Sequence, residues 1–246
     1  MTQLNGFRTD GREFNQMRKI SIVPAASPYA EGSAEVSFGN TKVLVTASVE
    51  RDVPKWMKPG SGGWITAEYG MLPRSTHTRM RREAASGKQE GRTLEIQRLV
   101  GRALRAAVDL SKLEGLTIRL DCDVIVADGG TRTAAISGGW VALALALRWC
   151  EQNGLITEKN LRLVHVAAIS VGVVDGRDLI DLHYEEDSSA EFDLNVVCTN
   201  NGELIEVQGT GERAGVVPER FFGLISLAMN GCRDIIEIQK RAVGCC

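Results

Sequence analysis

Between residues 117 and 149 the chain changes period, and this change constrains the fold more than any other feature. Ile118, Leu120, Cys122, Val124 and Val126 alternate with the polar Arg119, Asp121 and Asp123, which is the period of two expected of a half-buried strand. The alternation stops at Asp128-Gly129-Gly130-Thr131-Arg132-Thr133, and an alanine-rich apolar stretch follows from about residue 134 to 149. That stretch is too long for a strand and apolar on nearly all sides, so a buried helix is expected.

Strands are expected before this junction at 19–23, 34–38, 43–49 and 64–68, with Gly, Asn and Ser between them, and they read as a β-meander. From Thr93 onward, Ile96, Leu99, Val100, Ala103, Leu104, Ala107 and Val108 recur with helical spacing, while Arg98, Arg102 and Arg105 gather on the opposite face. This is an amphipathic helix with a basic outer side. Further strands are expected at 163–174, 178–184, 192–199 and 203–208. A last helix should start at Pro218 and break near Asn230-Gly231. No linker or short repeat divides the chain, so one α+β domain over 1–246 is expected, with strands followed by a helix occurring twice, as two stacked βα halves would.

Composition excludes some classes. With 43% hydrophobic and 24% charged residues, no apolar run approaching a bilayer span, and a polar start, neither membrane insertion nor secretion is expected, and the location expected is cytoplasmic. The six cysteines (Cys122, Cys150, Cys198, Cys232, Cys245, Cys246) form no Cys-x-x-Cys pair and read as reduced core residues plus a tail.

The net charge of −2 hides segregation along the chain. From Arg74 to Arg105 nine basic residues face three acids, a signature of polyanion binding, whereas from Asp175 to Asp193 eight acids face one base. Such an acidic run repels RNA unless a cation intervenes.

Three places can carry chemistry. The Gly129-Gly130-Thr131-Arg132 turn opens a helix, where unpaired amides and the helix dipole attract anions, with a hydroxyl and a guanidinium added. The same turn could also be a helix start merely capped by Thr131 or Thr133. Residues 73–82 carry Arg74, Arg79, Arg81 and Arg82 on a Ser/Thr-rich loop suited to gripping a nucleic-acid backbone. His77 there reads as a bystander, and His165 and His183 as core or strand residues. In the acidic run, Asp187 and Asp193 are the pair suited to a hard cation such as Mg²⁺, while Glu185, Glu186 and Glu191 are expected to face solvent.

Longer motifs carry a resemblance. Arg8-Thr9-Asp10-Gly11-Arg12, Thr66-Ala67-Glu68-Tyr69-Gly70-Met71-Leu72-Pro73-Arg74-Ser75-Thr76-His77-Thr78-Arg79, Gly91-Arg92-Thr93-Leu94-Glu95-Ile96-Gln97-Arg98, Ala127-Asp128-Gly129-Gly130-Thr131-Arg132-Thr133, Glu186-Asp187 and Glu206-Val207-Gln208-Gly209-Thr210 together resemble the ribonuclease PH family of phosphate-dependent exoribonucleases, which trim precursor transfer RNA. The likeness covers nearly the whole chain. It implies a ribosomal protein S5 domain 2-like βαβα fold in two similar halves, and a homo-hexameric ring built as a trimer of dimers. It further implies that Arg92, Gly130, Thr131 and Arg132 hold inorganic phosphate, that Asp187 and Asp193 hold Mg²⁺ or Mn²⁺, and that Arg74, Arg79 and Arg82 contact RNA. Met80-Arg81 and the Cys245-Cys246 tail depart from the family pattern.

The activity so implied is phosphorolysis of the 3′ end of precursor tRNA, with release of nucleoside 5′-diphosphates. A catalytically silent RNA-binding ring subunit of an exosome-like assembly is the alternative, but such a subunit could dispense with Arg92, Arg132 or the acids, and all are present. A small-molecule kinase would need a glycine- and serine-rich phosphate loop, which the sequence lacks.

Overall fold

The computed structural model describes residues 8–58, 60–113, 115–157, 161 and 163–244. Alternating side chains build the first sheet. β1 (Ile20–Pro24), β2 (Gly32–Phe38) and β3 (Thr41–Glu50) form the expected meander of antiparallel neighbours. β4 (Trp64–Met71) does not extend it: β5 (Thr117–Val126) inserts between β3 and β4, antiparallel to β3 and parallel to β4. Parallel neighbours need a crossover, and α2 (Gly91–Arg105), which follows the one-turn α1 (Glu83–Ser86) and packs on β4, supplies it. Ile118, Leu120, Cys122 and Val124 of β5 point into the core as the alternation requires, and Val126 at the strand end does not.

The second sheet has the order β7-β6-β8-β9 and is antiparallel throughout, from β6 (Val166–Val174), β7 (Arg177–Ile180), β8 (Phe192–Thr199) and β9 (Leu204–Thr210). Two expectations are corrected here. The strand expected to begin at 163 begins at Val166, with Leu163 making an isolated bridge to Val108. The strand expected to reach Tyr184 ends at Ile180, because Asp181 takes a left-handed backbone (φ 54) and donates its amide to the Ser170 carbonyl at 2.7 Å. The chain then enters α4 (Tyr184–Ser189), a short helix that the acidic composition did not reveal.

α3 (Thr131–Gln152) touches β2, β3 and β5 of one sheet and β6 of the other, while α5 (Pro218–Gly244) touches β1, β6, β7 and β8. Contact with both sheets is why α3 is apolar all round. At 22 residues it does reach the length and apolar character of a membrane span, which the sequence reading did not anticipate, but most of it is buried inside the protein as a core helix. The break expected in α5 near Asn230-Gly231 is absent. Gly231 serves close approach instead: a Cβ there would sit 2.6 Å from Ile180 Cδ1 and 3.1 Å from Met17 Sδ. One buried core runs through both halves. Cys122, Cys150, Cys198 and Cys232 are free and buried as expected, and Cys245 and Cys246 lie outside the described residues.

Candidate active site

The site is built where β5 hands over to α3. Gly129 (φ 72) and Gly130 (φ 67) both take the left-handed region that glycine enters without steric cost. Gly129 has a second reason to lack a side chain, since a Cβ would meet Leu182 O at 2.6 Å and Tyr184 N at 2.9 Å. The start of α4 therefore rests directly on the turn that starts α3. Arg18 locks this contact: its guanidinium pairs with Asp181 at 2.7 Å and donates to the carbonyl oxygens of Asp128 and Gly129.

The N-cap of α3 is Gly130, which has no side chain to satisfy the first amides. Neither threonine takes that part. Thr133 Oγ1 donates to Gly130 O at 2.9 Å, and Thr131 Oγ1 accepts from the Tyr69 hydroxyl at 2.9 Å. The helix start thus keeps its capacity for an external anion.

A cleft of about 860 Å³ opens in front of these amides, and Arg92, Gly130, Thr131, Arg132, Asp187 and Asp193 all line it. The six residues selected from the sequence, spread over more than a hundred positions, share one cavity. Arg92 projects from the first turn of α2, exposed and with no side-chain hydrogen bond to another described residue. Arg132 is held in place: Nη1 donates to Gln208 Oε1 at 3.0 Å and lies 3.2 Å from Glu95. Gln208 in turn donates to Glu206 at 3.1 Å, and Glu206 pairs with Arg102 at 2.6 Å.

The carboxylates face the arginines across the cleft. Although Asp187 is exposed, desolvation by the surrounding cleft wall pushes its acid up, and Arg92 and Arg132 partly offset this. Burial and then the Asp187 charge push Asp193 up to about 6, against the pull of Arg132 and a 3.0 Å hydrogen bond from Asn195 Nδ2 to its Oδ2. Asp193 Oδ1 is buried with no hydrogen-bond partner among the described residues. Two acids that disfavour each other's charge, one with an orphan oxygen, form a donor set that could hold a hard divalent cation. No group of three or more His, Cys, Asp or Glu side chains gathers as a metal cluster among the described residues, so water or a substrate phosphate would complete the shell.

Several lining residues were missed. Asn195 stands two positions after Asp193 on β8 and so on the same face, a signal that strand periodicity carries. Gln208 and Glu95 were visible inside quoted motifs without a role, and Ser188, Glu212 and Arg213 had no distinguishing pattern. Glu186 requires correction. It is buried, not solvent-facing, and accepts from Arg8 Nε at 2.6 Å while Arg12 lies 3.5 Å away.

Arg74, Arg79 and Arg82 do not line the cleft. They are exposed on the irregular segment after β4, which is anchored by Ala127 N donating to Ser75 O at 2.8 Å and Met80 N to Pro73 O at 2.8 Å. Because β4 and β5 are parallel, this segment and the Gly129-Gly130 turn leave the sheet at the same end. A groove of about 330 Å³ containing Tyr69, Arg82, Arg92 and Asp123 adjoins the cleft. His77 is exposed, His165 stacks on Trp140 at 3.9 Å and His183 caps α4, so no histidine lines the cleft.

Residues 16–148 match the model described as the 3′ exoribonuclease family, domain 1, and residues 165–231 match that of domain 2. The chain belongs to the 3′ exoribonuclease family. Among exoribonucleases of this family, it is 52% identical over 237 residues to a protein named Ribonuclease PH from Caulobacter vibrioides, covering 96% of this chain and 99% of that one. It is 53% identical over 236 residues to a Ribonuclease PH of Mesorhizobium japonicum, with the same coverage. The exoribonuclease fold also matches a solved Archaeoglobus fulgidus exosome with RNA bound to its active site, at TM-score 0.76 and 26% identity over 94% of this chain and 92% of that one. The α+β architecture in two halves, expected from the sequence, is the architecture of this family.

Proposed function

We propose that this protein is a phosphorolytic 3′→5′ exoribonuclease that trims precursor tRNA. The observation that carries the reading is the convergence of Arg92, Gly130, Thr131, Arg132, Asp187 and Asp193 on one cleft at the start of α3. An inorganic phosphate oxygen attacks the last phosphodiester phosphorus, the bond to the 3′ oxygen of the preceding nucleotide breaks, and a nucleoside 5′-diphosphate leaves. Two anions must meet for this. Arg92 and Arg132 offset their repulsion, and the Gly130 and Thr131 amides orient the attacking phosphate. Asp187 and Asp193 would hold a divalent cation, Mg²⁺ or Mn²⁺, which would supply charge stabilisation at the departing 3′ oxygen. The reverse reaction uses the same groups and adds nucleotides from diphosphates.

Arg74, Arg79 and Arg82 hold the body of the RNA beside the cleft, and the working form is a cytoplasmic homo-hexameric ring, a trimer of dimers, of chains that each act as one domain. The continuous core supports the last point. A silent ring subunit is the weaker reading, because the cation-ready acids and both arginines are retained.

The test is incubation with a short 3′-tailed RNA and radiolabelled phosphate, which should yield labelled nucleoside diphosphates only with Mg²⁺ or Mn²⁺ present. Arg92→Ala and Arg132→Ala should each abolish this, a loss of about 2.7–4 kcal/mol for one preorganised donor, with RNA binding nearly unchanged. Near-normal phosphorolysis in both variants would refute the assignment.

A further inference from the structure

Tyr69 lies outside every role given above. It sits on β4 with its neighbours Glu68 and Gly70 turned outward, is 4% exposed, and reaches under the start of α3. Its hydroxyl is 2.9 Å from Thr131 Oγ1, and Thr131 is itself 5% exposed with a side that lines the cleft. Two hydroxyls in contact leave one question, which of them gives the proton.

The acceptors nearby answer it. Asp128 O accepts from Arg18, Gly129 O accepts from Thr41 Oγ1 at 2.6 Å, and Gly130 O accepts from Thr133 Oγ1 and from Ala134 N. The carbonyls of the turn are therefore occupied. Burial raises the Tyr69 phenol above its ordinary value, so it keeps its proton, and Thr131 Oγ1 is the acceptor within its reach. If Thr131 donated instead, the phenol proton would be buried without a partner, at a cost of about 5- to 150-fold in the equilibrium. The tyrosine donates, and the threonine proton has the cleft as its outlet.

We propose that Tyr69 is a positioning residue for the phosphate co-substrate: by donating to Thr131 Oγ1 it commits the threonine's own proton to an anion bound at the start of α3. Without that partner the threonine hydroxyl would rotate freely and face the anion only part of the time. With Tyr69 in place it becomes a third kind of fixed donor to a bound anion, beside the helix amides and Arg132. The inference rests on the reading that this helix start binds phosphate.

The experiment separates the two. Steady-state phosphorolysis is measured against inorganic phosphate and, separately, against RNA, for Tyr69→Phe, Thr131→Val, the double variant and Arg132→Ala. The stabilisation of each protein by inorganic phosphate in thermal unfolding serves as a readout that needs no turnover. Tyr69→Phe should raise KM for phosphate by about 3- to 10-fold, as loss of one neutral hydrogen bond does, leave KM for RNA unchanged, and reduce the thermal shift given by phosphate. In the Thr131→Val background the same change should have no further effect, since the hydroxyl it aims is gone. An unchanged phosphate KM in Tyr69→Phe, with Arg132→Ala impaired, would overturn the role of Tyr69 and leave the site reading standing. An equal Tyr69→Phe effect with and without the Thr131 hydroxyl would overturn it too. Phosphate responses unaltered in Arg132→Ala and Thr131→Val alike would bring down the site reading itself.

Discussion

Arg18 and Asp181 form a buried ion pair across the two halves of the protein, with Nη2 to Oδ1 at 2.7 Å and Nε to Oδ2 at 2.9 Å. The same guanidinium holds the carbonyls of Asp128 and Gly129, so one side chain ties the end of β7 to the turn that opens α3. Removing one partner strands the other in a buried place. Arg18→Met should therefore destabilise the protein by about 3–5 kcal/mol in urea unfolding, toward the lower end because Arg12 also lies near Asp181. A loss under about 1 kcal/mol would mean that the tether is dispensable.

The acids give a prediction with a sign. Asp193 is pushed up to about 6 in the folded chain from an ordinary carboxylate value of 3.8, so the folded state favours its protonated form. Without divalent cation, this group's contribution to stability is present at acid pH and is lost as pH rises through about 6. A bound cation requires the carboxylate, so millimolar Mg²⁺ should raise Tm more at about pH 7.5 than at about pH 5. Asp187→Asn and Asp193→Asn should remove both this response and phosphorolysis, and EDTA should mimic them. Full activity of wild type in EDTA would return these acids to a structural role.

Gly129→Ala probes the contact between the two helix starts. The residue has φ 72, and its new Cβ would press on backbone atoms at 2.6–2.9 Å, which cannot swing aside as a side-chain tip can. A stability loss of about 2–4 kcal/mol is expected from the strained backbone and overpacking together. Phosphorolysis should fall further than unfolding explains. Activity proportional to the folded fraction would show that the turn tolerates displacement.

For the arginine segment, the combined Arg74→Ala, Arg79→Ala and Arg82→Ala variant should raise KM for a full precursor tRNA and flatten its salt dependence, with kcat on a very short oligonucleotide little changed. Equal loss on both substrates would place these arginines in the reacting centre.

What the sequence made legible was local or carried by long motifs. β5 was delimited from alternation alone, the α3 helix was recognised from its apolar run, and Asp187, Asp193, Arg92 and Arg132 of the cleft were chosen before their meeting could be seen, whereas Glu95, Glu212 and Arg213 of the same cleft were not. What it hid was non-local. Alternation says which face of a strand is buried but not which strand lies beside it, so the insertion of β5 between β3 and β4 was invisible. Glu186 looked like one more solvated acid because its partner, Arg8, is 178 positions away. Gly231 looked like a break because a glycine chosen for a neighbour's closeness and one chosen for flexibility are spelled alike.

α3 begins at the proposed phosphate cradle and continues as the spine of the core. Six residues into it, Ser137 Oγ accepts from Ala168 N at 3.1 Å, while Gln239 of α5 donates to Ser137 O at 3.0 Å and to Val166 O at 2.9 Å. The helix is pinned axially to the second sheet, so its first turn cannot slide toward or away from a ligand without tearing those pins. Adaptation of this cleft to a different anion is thereby confined to its rim, to β9, the segment after it and the start of α2, and directed evolution restricted to those positions should outperform libraries drawn from the helix itself.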